Sequence, residues 1–258
     1  MKTVILCGGQ GSRIRGVADH LPKPMIPIGE RPILWHIMRN FYHYNFNEFI
    51  LCLGYKGEVI KDYFQNYDMK SNDFTIHCGS SKEIEIHDTC ISENWKITLA
   101  NTGLNSMTGS RVKQIERYLK KEDLFFLTYG DGVGNIDINK LLNFHRDHGK
   151  ILTITGVHPP GRFGELSLDG MNVVGFNEKP QSSSGRISGG FFVCDVRIFQ
   201  FISDTASVVL EREPIEHLVK LNEVAMYAHD GFWHPMDTSR DYEFLNDLYE
   251  ADDIRWQL

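Results

Sequence analysis

The chain reads as an α/β protein with a Rossmann-like, mostly parallel sheet flanked by helices, carrying an inserted hairpin or arm and a smaller C-terminal elaboration. Two observations predict this. Apolar, β-branched runs alternate with amphipathic helical segments through the first two-thirds of the 258 residues. Two of those runs also empty abruptly into glycine-rich loops, Gly8-Gly9-Gln10-Gly11-Ser12-Arg13 and Gly130-Asp131-Gly132, as strands do where an open parallel sheet meets its ligand.

The elements follow in order. Val4-Ile5-Leu6-Cys7 is the first strand. Pro32 opens a helix bearing Ile33, Ile37, Met38 and Phe41 on one face. A strand at 49–53, a helix at 59–64 and a strand near 74–78 come next, and residues 79–95 form a polar excursion that suits a subunit contact. A strand at 97–99, a helix at 112–119, a strand at 124–128, a helix at 138–144 and strands at 151–157 and 173–176 continue the series. Residues 181–185 read as a surface loop. No repeat or linker divides the chain, so residues 1–258 form a single domain.

Composition narrows the function. Hydrophobic residues make up 41% and charged residues 24%, ordinary for a globular enzyme. A net charge of −7 argues against a nucleic-acid surface, so any polyanionic ligand must be held by local cations. No apolar stretch reaches the roughly 20 residues that span a bilayer, and no secretory signal precedes the first strand; a cytoplasmic protein without membrane contact is expected. The five cysteines lack C-x-x-C spacing and read as reduced thiols.

The glycine loop can form a nest of backbone N–H groups for phosphate oxygens, with Arg13 and Lys23 supplying positive charge. It is neither a P-loop, which closes on Gly-Lys-Ser/Thr, nor a dinucleotide fingerprint, since Ile14 stands where a small residue is needed. Asp131 follows an apolar strand and suits a hard cation such as Mg²⁺, or else an Asp-Gly turn. Asp237 reads as a second ligand or as the N-cap of the helix beginning at Thr238. Lys179 in Glu178-Lys179-Pro180 could hold a second phosphate, and Arg111 either faces the same cleft or lies on a helix surface. Gly189-Gly190 allows close ligand approach or marks a bulge. His145 and His148 read as structural.

In this order the motifs resemble the sugar-phosphate nucleotidylyltransferases, most of all the branch that forms CDP-glucose from CTP and glucose 1-phosphate. The likeness runs through the loop at 8–13, Pro22-Lys23-Pro24-Met25, Gly54-Tyr55-Lys56-Gly57, Ser106-Met107-Thr108-Gly109, Tyr129-Gly130-Asp131-Gly132, Glu178-Lys179-Pro180, Gly189-Gly190-Phe191-Phe192 and Met236-Asp237-Thr238. It implies that Leu6, Cys7, Gly8, Gly9, Gln10, Gly11, Ser12, Arg13, Lys23, Ser106, Arg111 and Gly130 contact the nucleotide, and that Asp131 and Asp237 bind Mg²⁺. It places Glu178, Lys179, Ser188 and Gly190 on the acceptor side, with Arg13, Lys23, Asp131 and Lys179 carrying the chemistry. It further implies CTP and a phosphorylated small molecule as substrates and a homo-oligomer. Ser188 stands where relatives commonly carry asparagine, which leaves another sugar phosphate, or a phosphorylated non-sugar, as an alternative acceptor. A catalytically silent nucleotide-binding paralogue is the reading from another class.

Overall fold

A computed structural model describes residues 1–9, 14, 16, 20–78, 83–87, 93–160, 165–169, 171–177 and 185–257. Its centre is a seven-stranded sheet built from β1 (Thr3–Leu6), β2 (Glu48–Leu53), β3 (Lys96–Asn101), β4 (Leu124–Tyr129), β5 (Leu152–Val157), β6 (Ile187–Asp195) and β7 (Val224–His229). The strand order is β7-β5-β6-β4-β1-β2-β3. Every pairing is parallel except those of β6, which runs antiparallel to both β4 and β5.

Alternation along β1 shows why the sheet is buried on both faces. Val4 and Leu6 join one apolar layer, with Ile50, Phe125, Leu127 and Phe192. Ile5 and Cys7 join the other, with Phe49, Leu51, Phe126 and Phe191. A strand places successive side chains on opposite faces, so an unbroken apolar run demands cover on both sides. The helices α1 (Ile33–His43), α2 (Gly57–Gln65) and α4 (Ile138–His148) supply one cover; α3 (Thr108–Gln114) and α5 (Glu213–Lys220) supply the other. Among the described residues no helix is long and apolar enough to cross a membrane. Cys7, Cys52 and Cys194 are buried free thiols, and burial pushes Cys52 up to about 12.

Three expectations need revision. Pro32 does not occupy the first helical position: it sits extended at the N-cap and pairs with Pro27. The helix expected at 112–119 starts earlier, at Thr108, and gives way to a 3₁₀ turn at Glu116–Tyr118. The strand near 74–78 joins no strand of the central sheet. Phe74–His77 pairs antiparallel with Glu83–Ile86, so the inserted arm begins before residue 79.

The C-terminal end is tied to α1 by a buried histidine. Trp256 Nε1 donates to His36 Nδ1 at 3.2 Å, and His36 Nε2 lies 3.0 Å from the Ile28 carbonyl. Indole is a donor only, so Nδ1 accepts and the proton sits on Nε2. Burial holds this imidazole down to about 4, against about 6.5 in the unfolded chain. Between these values the unfolded state binds the proton and the folded state refuses it, so stability falls as pH drops through that window, by up to about 3 kcal/mol. Melting temperature followed from pH 7.5 to 4.5 will decline on the acid side, and His36→Gln will flatten that slope. An unaltered slope assigns the acid sensitivity elsewhere, His145 being the other imidazole held at about 4.

Candidate active site

Three segments far apart in sequence meet at the carboxyl ends of β1 and β4. Immediately after β4, Gly130 N donates to the Leu6 carbonyl at 3.1 Å. Gly130 must be small there, because a Cβ would lie 3.0 Å from the Pro24 ring and 3.2 Å from Leu6 O. Residues Gly132–Gly134 then pair antiparallel with Trp233–Pro235, and Met236 N donates to the Asp131 carbonyl at 2.8 Å. This short ladder is what delivers Asp237 beside Asp131.

The two carboxylates share one cation. Lys23 Nζ donates to Asp131 Oδ2 at 2.8 Å and to Asp237 Oδ1. Lys23 comes from the 3₁₀ turn Lys23–Met25, whose proline-flanked backbone cannot continue as a helix. Burial alone would lower its ammonium; Asp131 and Asp237 outweigh that and hold it above the ordinary lysine range. The side chain stays cationic at neutral pH.

Asp237 does not cap the following helix. Thr238 does, in a capping box with Asp241 that opens the helix Ser239–Glu250. Asp241 Oδ2 also accepts from Asp237 N at 3.1 Å, while Oδ1 lies 3.1 Å from His234 Nε2. Burial opposes ionisation of Asp241, yet His234 and Thr238 together hold it down to about 2. The Asp237 side chain is thereby released toward the cleft.

Arg111 has an unexpected setting. Only 5% exposed, it donates through Nη1 to Leu53 O at 3.1 Å, Thr102 Oγ1 at 2.8 Å and Gly103 O at 2.8 Å. Nη2 donates to Gly8 O at 3.0 Å and Leu104 O at 3.4 Å. The guanidinium underlies the start of the glycine loop, and a Cβ on Gly8 would meet Arg111 Cζ at 2.2 Å. Gly8 is therefore glycine because an arginine passes beneath it. Gly9, with nothing within 4 Å of an added Cβ, leaves its backbone open to the cleft.

These residues line one cavity of about 320 Å³, with Leu6, Cys7, Gly8, Gly9, Lys23, Ser106, Arg111, Gly130, Asp131 and Asp237 all on its wall. Gly190 lies behind the Tyr129 ring, which a Cβ would strike at 2.5 Å, and its φ of +76° is one that glycine accepts readily. Ser188 is not brought to this wall; it lines a separate groove with Arg186, Ile187 and Met226. Gln10, Gly11, Ser12, Arg13, Glu178 and Lys179 lie outside the described residues. Sequence reasoning overlooked Pro24, Met107, Thr108 and Tyr129, which also line the cavity although each stands inside a motif already singled out.

A hard divalent cation fits the donor set. Two carboxylate oxygens within reach of a single ammonium nitrogen can both reach one ion, and such a pair leaves the remaining positions to water and phosphate, as Mg²⁺ prefers. Among the described residues no third acidic, histidine or cysteine side chain joins them.

Comparison with known proteins places this geometry. A sequence profile of the nucleotidyl transferase family matches residues 2–242. The chain belongs to that family. It is 43% identical over 257 residues to the glucose-1-phosphate cytidylyltransferase of Salmonella typhi, covering 100% of this chain and 99% of the relative. It is 40% identical over 258 residues to a probable glucose-1-phosphate cytidylyltransferase of Bacillus subtilis, covering all of both. Among solved structures, UTP-bound UGPase from Acinetobacter baumannii superposes with a TM-score of 0.68 at 16% identity, over 99% of this chain and 95% of that one. HddC from Yersinia pseudotuberculosis gives 0.66 at 21%, over 96% and 99%. These last two establish the shared fold.

Arg111→Met will separate support from ligand contact. Removing the buried guanidinium takes away its hydrogen bonds to the carbonyls of Leu53, Gly8 and Gly103 and to the Thr102 hydroxyl, and the protein should lose about 2–4 kcal/mol of stability. Denaturant unfolding reads this; a midpoint unchanged from wild type contradicts the structural role.

Proposed function

We propose that the chain is a cytidylyltransferase that transfers CMP from CTP to α-D-glucose 1-phosphate, releasing pyrophosphate and forming CDP-glucose. The observation that carries this reading is the meeting of Lys23, Asp131 and Asp237 in the cleft at the strand ends. Full-length similarity to cytidylyltransferases supports the choice of nucleotide and acceptor.

The chemistry is a single in-line displacement. An oxygen of the acceptor phosphate bonds to the α-phosphorus, and the bond from that phosphorus to the bridging oxygen of the β-phosphate breaks. No protein nucleophile is required, so the site works by positioning and by neutralising charge. Two unit charges 4 Å apart interact by about 4 kcal/mol in a partly shielded site, and bringing two multiply charged phosphates together multiplies that cost. Several cations are needed at once.

Asp131 and Asp237 would hold the divalent cation, Mg²⁺, which when bound supplies positive charge at the α-phosphate. Lys23 exchanges its carboxylates for phosphate oxygens as the nucleotide arrives. The backbone of residues 8–13 cradles the triphosphate, with Arg13 against the leaving pyrophosphate. Arg111 holds Gly8 in place beneath it. Ser106 and Gly130, both on the cavity wall, contact the nucleotide. Lys179 holds the acceptor phosphate, with Glu178 and Gly190 beside the acceptor.

The homo-oligomer rests on the arm. Its strands alternate so that Phe74 faces Ile86 and Ile76 faces Ile84 on one side, with Thr75, His77, Glu83 and Glu85 on the other. Phe74, Ile76 and Ile84 remain about 40% exposed, and a lone two-stranded hairpin is marginal in water. A second copy of the chain is the cover we assign.

One preparation tests these points. Incubated with each of the four nucleoside triphosphates and a panel of phosphorylated acceptors, the protein should yield the mass of CDP-glucose from CTP and glucose 1-phosphate faster than any other product. Light scattering should give a mass above one chain. Faster turnover with another triphosphate or acceptor overturns the assignment, and nucleotide binding without any product supports the silent paralogue.

A further inference from the structure

Glu211 belongs to no motif, yet both of its carboxylate oxygens are committed at the edge of the cleft. Oε1 accepts from the Tyr129 hydroxyl, and Oε2 accepts from Thr108 Oγ1 at 2.6 Å. Tyr129 is the residue before Gly130-Asp131, and Thr108 is the first residue of α3; both side chains line the nucleotide cavity. They stand on different elements, one on the central sheet and one on the helical wall. Glu211 is the side chain that touches both.

The surrounding backbone explains why the bridge is stiff. The segment 206–210 lies along the beginning of α3. Met107 N donates to Ala206 O at 2.9 Å and Ser110 N to Val208 O at 3.2 Å. Leu210 N donates to Thr108 Oγ1 at 3.0 Å, leaving that hydroxyl's own proton for Glu211. Gly109 permits the approach, since a Cβ there would sit 3.0 Å from Val208 O. On the other side the Tyr129 ring is seated on Gly190 and edge-on to Phe192, with centroids 5.8 Å apart.

We infer that Glu211 is a positioning residue that sets the separation between the α3 wall and the Asp131 strand, and so the fit of the nucleotide. The carboxylate touches neither substrate in this scheme; it acts through Tyr129 and Thr108. The carboxylate accepts from both hydroxyls at once, through charge-assisted bonds. Glutamine has the same length but no charge and a single acceptor oxygen, so its NH2 group must turn one hydroxyl from donor to acceptor and both bonds become neutral. The inference rests on reading the cavity as the nucleotide site.

The test is a thermodynamic cycle on CTP binding, measured by calorimetry with the full-length protein, together with steady-state constants for both substrates. Glu211→Gln and Tyr129→Phe should each weaken CTP roughly tenfold, and the double variant should be no weaker than either single one. KM for CTP should rise while KM for the acceptor holds within about twofold, and thermal midpoints should stay within a few degrees. Glu211→Asp, which keeps two acceptors on a shorter stem, should recover part of the loss. CTP affinity unchanged in Glu211→Gln overturns the inference, as does full additivity with Tyr129→Phe or a loss that merely tracks the melting temperature. Absence of binding of every triphosphate to the wild type overturns the cleft reading and this inference together.

Discussion

One ammonium group between two carboxylates organises the centre of this protein. Lys23, Asp131 and Asp237 arrive from a 3₁₀ turn, a strand end and the lead into the C-terminal helix. Two like charges so close repel by a few kcal/mol even in a partly shielded setting. A cation must therefore be present whenever both carboxylates are ionised. Lys23 fills that place; under the proposed function a divalent ion held by the same two acids would take it over, and Lys23 would then face phosphate. The pair of acids would keep a positive partner in either case.

The rest of the architecture delivers those three groups. The ladder between Gly132–Gly134 and Trp233–Pro235 joins the acids. The capping box at Thr238 and Asp241 relieves Asp237 of a structural duty that an aspartate in that position would often take. Arg111 contributes from below. Its buried charge is satisfied by backbone carbonyls and a threonine hydroxyl rather than by a carboxylate. That arrangement keeps the floor of the glycine loop in place without spending an acidic residue near the site.

Much of this was legible from the chain, for physical reasons that differ by element. β1 and β4 announce themselves because β-branched and aromatic runs stop at glycines. Asp131 could be picked out because it sits at such a stop. The antiparallel insertion of β6 was not legible, since strand direction depends on partners remote in sequence. Phe74–His77 misled for the reverse reason: its alternation is that of a half-exposed hairpin, yet position in the series suggested a sheet strand. The buried setting of Arg111 was not legible because sequence carries no sign that the carbonyls of Leu53, Gly103 and Gly8 converge on one point. Asp237 and Thr238 both suit an N-cap by residue type, and only the Asp241 geometry decides between them. Glu211 was invisible for a similar reason. A lone glutamate in a connecting segment has no periodicity or glycine beside it to mark its role.

Divalent-cation binding to the nucleotide-free protein tests the shared-cation arrangement most directly. With Mn²⁺ as a paramagnetic probe, wild-type protein should bind the metal weakly, because Lys23 already occupies the space between Asp131 and Asp237. Lys23→Met should bind Mn²⁺ at least roughly tenfold more tightly, a gain of about 1.4 kcal/mol, and Asp131→Asn in that background should abolish the gain. Equal or weaker Mn²⁺ affinity in Lys23→Met would contradict the arrangement on which this account rests.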